Sequence, residues 1–243
     1  IGDGNFDIEV GVDPDYEALE MKVGSYINAE GKVVRDAADA VGIVFKMEAI
    51  GDDVPANYPV ALQSKTIVGY AVAIENVAAG RQSLNPDGVL TNLVETAASM
   101  TNGTQITEAL LTSIGDVAFK TTYEKWVGEH SLSSENLSAW YIPTLSQLSA
   151  FMGTLFTMKG VPATGSEDFR NLPGFEFANG KIFDRETIAT VNYASSTINN
   201  QSNVSGVRIN VNKGVIDAQE AGIDVKGKAN QQALCRPMIT IFK

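Results

Sequence analysis

Between residues 140 and 160 the chain has few ways to fold. The stretch 138-SAWYIPTLSQLSAFM-152 carries Pro143, which keeps Ile142 out of the α region, and then Thr144 with Gln147 three residues on. That spacing is a capping box, in which a hydroxyl and an amide satisfy backbone donors that a helix start leaves orphaned. Leu145, Leu148, Phe151, Met152, Leu155 and Phe156 follow at helical intervals. Lys159 and Gly160 then supply a C-terminal charge and a C′ glycine. An extended segment therefore ends at Pro143, and the spacing predicts a helix over 145–158. The aromatic pair Trp140-Tyr141 is not explained by this pattern.

On either side the periodicity changes. The runs 41-VGIVFKM-47, 58-YPVALQ-63 and 67-IVGYAVAIE-75 read as strands, with a turn at Ser64-Lys65. Pro86-Asp87-Gly88 is turn chemistry within the loop 80–88. Helical spacing appears over Thr91–Met100. It resumes after Asn102-Gly103 with Ile106, Leu110, Ile114, Val117 and Ala118 on one stripe; Trp126 lies further on, and Gly115 is a candidate break. A polar loop, 128-GEHSLSSEN-136, leads to the capped helix. Beyond that helix, 160–181 is rich in Gly, Pro and Asn, a length of irregular chain that is usually functional or loosely ordered. Strands return at 191–197, 207–211 and 238–242, with a turn at Lys213-Gly214. Strands, then helices, then strands describe an α+β fold. Residues 1–40 read as a leader or edge-strand appendage, and 41–243 as the main domain.

Composition removes several function classes. With 44% hydrophobic residues in 243, the chain can bury a core. Its net charge is −11, and its 18 basic residues are scattered, which excludes a nucleic-acid surface. No apolar run approaches membrane-spanning length. The single cysteine, Cys235, allows no intrachain disulfide and no thiolate cage, and the single histidine, His130, allows no histidine-pair metal site. Asp3, Asn5, Asp7 and Glu9 have the spacing of a calcium loop. However, Ile8 stands where the loop needs glycine and Pro14 where it needs glutamate, so no metal is expected.

Three patterns stand in order: Trp140-Tyr141-Ile142-Pro143-Thr144, then Asn192-Tyr193-Ala194-Ser195-Ser196-Thr197, then Cys235-Arg236-Pro237. Together they resemble a bacterial branch of the C-type-lectin-like fold. In that branch a W-x-L-P-[ST] helix start precedes a Y-W-S-S-T strand and a terminal V-R-P-V strand. The resemblance covers about residues 40–243, with Ala194 in place of the family tryptophan and Cys235 in place of an apolar residue. Such domains occur in surface lipoproteins and pilus-tip proteins of gut Bacteroidetes. They are related in fold to formylglycine-generating enzymes and to the variable proteins of diversity-generating retroelements. The resemblance implies two or three helices on a mostly antiparallel sheet, a loop-rich second half, and Trp140 as a core anchor. It also implies an extracellular or outer-surface location, compatible with a lipid anchor upstream of this chain.

Catalytic chemistry finds little support in the residues. The calcium-binding Glu-Pro-Asn, Gln-Pro-Asp and Trp-Asn-Asp motifs of animal lectins are missing, and Asn85-Pro86-Asp87 lies too early in the chain. The formylglycine branch needs two cysteines. His130 reads as a base in an exposed loop with nothing to orient it. Glu167-Asp168 after Ser166 fits the first turn of a helix, and no phosphate-binding glycine motif is present. The distinctive stretch is 198-INNQSNVSG-206, whose amides both donate and accept hydrogen bonds and suit sugar hydroxyls or a peptide backbone. The candidate ligand-binding set is Asn199, Asn200, Gln201 and Asn203, with Tyr193 and Phe175 as stacking rings and the 165–180 loop alongside. The expected function is a non-catalytic recognition or adhesion module without a cofactor, binding a glycan or a host or bacterial surface protein. A structural pilus or surface-assembly subunit that associates through the N-terminal stretch is the alternative, and a hydrolase the third reading.

Overall fold

A computed structural model describes residues 19–83, 102–114, 116–157, 190–200, 203–210, 215–217, 223–224 and 232–243. Its strands, in chain order, are β1 (Tyr26–Ile27), β2 (Val33–Val34), β3 (Gly42–Lys46), β4 (Ile67–Ala73), β5 (Thr190–Asn200), β6 (Asn203–Asn210), β7 (Val215–Asp217), β8 (Ile223–Asp224) and β9 (Met238–Phe242). The helices are α1 (Val60–Gln63), α2 (Gly103–Ser113), α3 (Ala118–Glu129) and α4 (Leu145–Thr157). The expected helix over 91–100, the 160–181 stretch, the turn at 213–214 and the calcium-like N-terminus lie outside the described residues.

A five-stranded antiparallel sheet in the order β2-β1-β3-β4-β9 forms the centre of the α+β fold. Successive side chains on a strand face opposite ways, and both faces here are buried. Ile43, Phe45, Tyr70, Val72, Met238 and Phe242 meet Leu148 and Phe151 of α4 on one side. On the other, Val44, Ala71, Ala73, Ile239 and Ile241 meet Leu110 of α2 and Phe119, Tyr123 and Trp126 of α3. This is why β3 and β4 read as continuous apolar runs with no polar alternation. The register shift between Ile67 and Gly69 puts Ile67 on the α4 side with Tyr70 and Val72.

The strand expected at 58–63 is a correction. Pro55–Asn57 form a 3-10 turn and Val60–Gln63 a short helix. Pro59 has no N–H to give a ladder. The buried positions are Tyr58 and Leu62, four apart as on a helix, while Val60 is 82% exposed. The expected 1–40 appendage is, over residues 26–34, an edge hairpin whose β1 is paired with β3.

Beneath α1 lies a buried polar hub. Asp53, 5% exposed, accepts from the hydroxyls of Tyr58 (2.5 Å) and Tyr70 (2.7 Å) on one oxygen. Its other oxygen accepts from the amides of Asn102 (3.0 Å) and Asn57 (3.2 Å). Asn102 is also the N-cap of α2, its side-chain oxygen accepting from the Gln105 N–H. The adjoining Gly103 N–H donates to Gln147 of α4. A Cβ at Gly103 would collide with the Ile142 carbonyl and the Tyr141 ring, so only glycine lets α2 start this close to the 141–144 segment.

Candidate functional site

The three patterns that the sequence kept in order converge on one place. Tyr141 and Met238 exchange backbone hydrogen bonds at 3.0 and 2.9 Å, and Ser138 N–H donates to the Thr240 carbonyl. This covers the outer edge of β9. Tyr193 bridges Leu234, with the Ala194 N–H on the Leu234 carbonyl at 3.0 Å. Ser196 N–H donates to the Pro143 carbonyl at 2.7 Å, and Ser196 Oγ to the Ile142 carbonyl at 2.9 Å.

The helix start behaves as its sequence predicts. Gln147 N–H donates to Thr144 Oγ1 and Thr144 N–H to Gln147 Oε1, and α4 begins at Leu145. The neighbouring Leu145 N–H is satisfied by Thr197 Oγ1, from a strand far along the chain. The Ser-Ser-Thr run therefore supplies side-chain partners to the Ile-Pro-Thr-Leu backbone.

The Trp140-Tyr141 pair divides across the sheet. Trp140 joins the α2–α3 face, its Nε1 donating to the His130 carbonyl at 2.7 Å and its ring set edge-on to Trp126. Tyr141 joins the α4 face, its hydroxyl within 3.0 Å of Thr240 Oγ1 and 3.1 Å of Gln147 Nε2. Both rings are core anchors.

Arg236 pins this junction. It is fully buried and donates to the Ala73 carbonyl at 3.0 Å and to the Tyr193 hydroxyl. Burial lowers its proton affinity, opposed by Tyr193, Glu75 and Cys235. Tyr193 is itself 0% exposed, and burial raises its phenol against the pull of Arg236. Tyr193 is therefore the root of the hairpin and presents no ring to a ligand, which corrects its expected role in stacking. Cys235 is buried as expected, and burial pushes its thiol up to about 12.

From this root, β5 and β6 run outward as an antiparallel hairpin that ends where Asn200 pairs with Asn203. The expected loop 198–206 is thus mostly strand. Asn199 and Asn200 close β5, and Asn203 opens β6. Gln201, and Phe175 with the 165–180 loop, lie outside the described residues. The sequence reading missed β8, which pairs with β6 so that Asp224 stands opposite Asn203. Asn200, Asn203 and Asp224 hence occupy paired register positions on neighbouring strands. Only the short alternation at Ile223-Asp224-Val225 hinted at this strand.

His130 also needs correction. It caps α3, three-quarters buried, with Nδ1 2.8 Å from the Trp126 carbonyl and Nε2 3.0 Å from Glu75 Oε1. Both ring nitrogens are occupied, so neither is placed to take a proton from a nucleophile. Among the described residues no cluster of three or more His, Cys, Asp or Glu could hold a metal, and no helix is long and apolar enough to cross a membrane.

No protein-family model matches the chain, and no curated protein matches it. Among solved structures, the fold is similar to the crystal structure of a fimbrial protein from Bacteroides ovatus ATCC 8483, with a TM-score of 0.56 and 17% sequence identity. The match covers 91% of this chain and 49% of that one, so the chain spans about half the length of the fimbrial protein.

Proposed function

We propose that this chain is a non-catalytic recognition or adhesion domain of the C-type-lectin-like kind, acting outside the cell or on its outer surface. It binds a glycan or a surface protein through the end of the β5–β6 hairpin. The observation that carries this reading is the paired positions of Asn200, Asn203 and Asp224 at the far end of a hairpin rooted in the buried Tyr193–Arg236 pair. The fold likeness to a fimbrial protein supports a surface role. Asn199 and Gln201 extend the amide set, and Phe175 remains the candidate stacking ring.

The test is a glycan array and a surface-protein binding assay on wild type and on the triple variant Asn199/Asn200/Asn203→Ala. A hydrogen bond contributes about 1 kcal/mol, so losing three weakens binding about a hundredfold. The melting temperature should stay unchanged. Undiminished binding removes the hairpin end from the site.

A second reading, a surface-assembly or pilus subunit, draws on the same fimbrial likeness. The outer edge of β9 is already bridged by Leu137 and Tyr141, whereas β2 ends the sheet on the other side. Strand addition by a neighbouring subunit would therefore use the β2 edge. Deleting residues 1–18 reduces particle size in solution on this reading, and an unaltered particle mass counts against assembly through that segment.

A further inference from the structure

We infer that Asn102-Gly103 is a chemical modification site that the fold keeps sealed: the pair deamidates through a succinimide only when the junction of α2 and α4 opens. The modified chain cannot rebuild that junction. Asparagine before glycine is the dipeptide best suited to this reaction, because no Cβ shields the attacking nitrogen or restricts its backbone. Here the fold requires both members of the pair. Asn102 caps α2, accepting from the Gln105 N–H at 3.1 Å and donating to Asp53 Oδ1 at 3.0 Å. Any side chain at 103 would run into the Ile142 carbonyl and the Tyr141 ring. The reactive sequence is therefore a consequence of how α2 starts.

In the reaction, the Gly103 nitrogen gives up its proton and bonds to Asn102 Cγ. The side-chain amide leaves as ammonia, and water opens the ring to aspartate or isoaspartate. The native geometry opposes each step. Ring closure needs the Gly103 nitrogen in line with Asn102 Cβ, and at ψ 163° the N-cap backbone holds the two well out of line. The Gly103 N–H is committed to Gln147 Oε1 at 3.1 Å, which keeps its proton in place. The amide that must leave is held on Asp53. Asn102 is 0% exposed and Gly103 is buried beside it, so neither a base nor water reaches the pair.

Opening the junction removes these restraints together, and the product does not close again. Aspartate at position 102 sets a second carboxylate against Asp53, two like charges in a site closed to water. It also offers no N–H to the oxygen that Asn102 serves. Isoaspartate lengthens the main chain by one carbon just ahead of α2 and carries Gly103 away from Gln147. A long-lived opening is thereby made permanent.

The test follows the full chain by peptide mass spectrometry at mildly alkaline pH, folded and in urea. Asn179-Gly180, the other asparagine–glycine pair, is the internal standard for the unfolded rate. In urea the two pairs should deamidate alike. In the folded chain Asn102 should react at least about a hundredfold more slowly than in urea, because it reacts only through opening of a buried segment. Gln147→Leu, which removes the acceptor of the Gly103 N–H, should speed the folded reaction several-fold and leave the urea rate unchanged. After timed exposure to urea, wild type is refolded and separated by size. Intact Asn102 should collect in the compact pool and modified chains in the expanded pool. Asn102→Ser, which keeps a cap but has no amide to lose, should refold equally well at every time. Folded deamidation at the urea rate overturns the seal, and modified chains in the compact pool overturn its permanence.

Discussion

Asp53→Ala should cost the fold about 4–6 kcal/mol, read as a shift of the urea midpoint at unchanged slope. The figure follows from what the substitution leaves behind. Tyr70 and Asn102 are 0% exposed and Tyr58 3%, and each aims a donor at the missing carboxyl group. A buried donor without an acceptor costs about 1–3 kcal/mol. Partial relief is available to Tyr58, whose hydroxyl also lies 2.7 Å from Thr240 Oγ1, and to Tyr70 through the Tyr58 hydroxyl. The phenols cannot escape by losing a proton, because burial, the largest cause and one that the substitution leaves in place, pushes both Tyr58 and Tyr70 well above the usual tyrosine range. A domain of this size has about 5–15 kcal/mol in total, so the variant sits at the edge of unfolding. Asp53→Asn, which keeps one acceptor oxygen, should lose about half as much. Adding Tyr70→Phe to Asp53→Asn should cost less than the two single losses summed, since it removes one stranded donor. Additivity of those two changes would mean the hydroxyl and the carboxyl group do not act together.

This hub shows where sequence reading stops. In 49-AIGDDVPANYP-59, Asp53 looks like turn chemistry, and its partner Asn102 is 49 residues away. Nothing local marks an aspartate as the acceptor for three elements. By contrast, the Thr144–Gln147 box, the β3 and β4 runs and the terminal strand are written in residues that lie next to one another, and each emerges close to its expected limits. Local content misled at 58–63, because Tyr58 and Val60 are strand-forming residues while burial follows a four-residue step. His130 is hidden from local reading for the same reason as Asp53. Its partner Glu75 arrives from another element, and polar neighbours in sequence gave no sign of it. At the candidate site, the amide-rich end of the hairpin was legible as composition, but Asp224 joins it only through pairing of β6 with β8.

Arg236→Ala should destabilise the protein by about 3–5 kcal/mol, the loss of a large fully buried side chain together with the buried acceptors it leaves unmet. The guanidinium links three elements: the Ala73 carbonyl at the end of β4, the Tyr193 hydroxyl on β5, and the chain entering β9. Arg236→Lys should recover little, because a single ammonium cannot reproduce the planar fork that serves two acceptors at once. Arg236→Met combined with Tyr193→Phe should recover more than Arg236→Lys, since it removes donor and acceptor together and keeps the volume. Cys235 next to the pin offers a direct reading of the root. Burial holds its thiol at about 12, leaving almost no thiolate for an aromatic disulfide reagent at neutral pH. In wild type, labelling should therefore wait for unfolding. In Arg236→Ala, labelling should run many-fold faster under native conditions, and binding at the hairpin end should weaken in step with it. Equal labelling rates in the two proteins would show that β5 stays docked without the arginine, and that the hairpin is held by its backbone bonds to Leu234 and Pro143 alone.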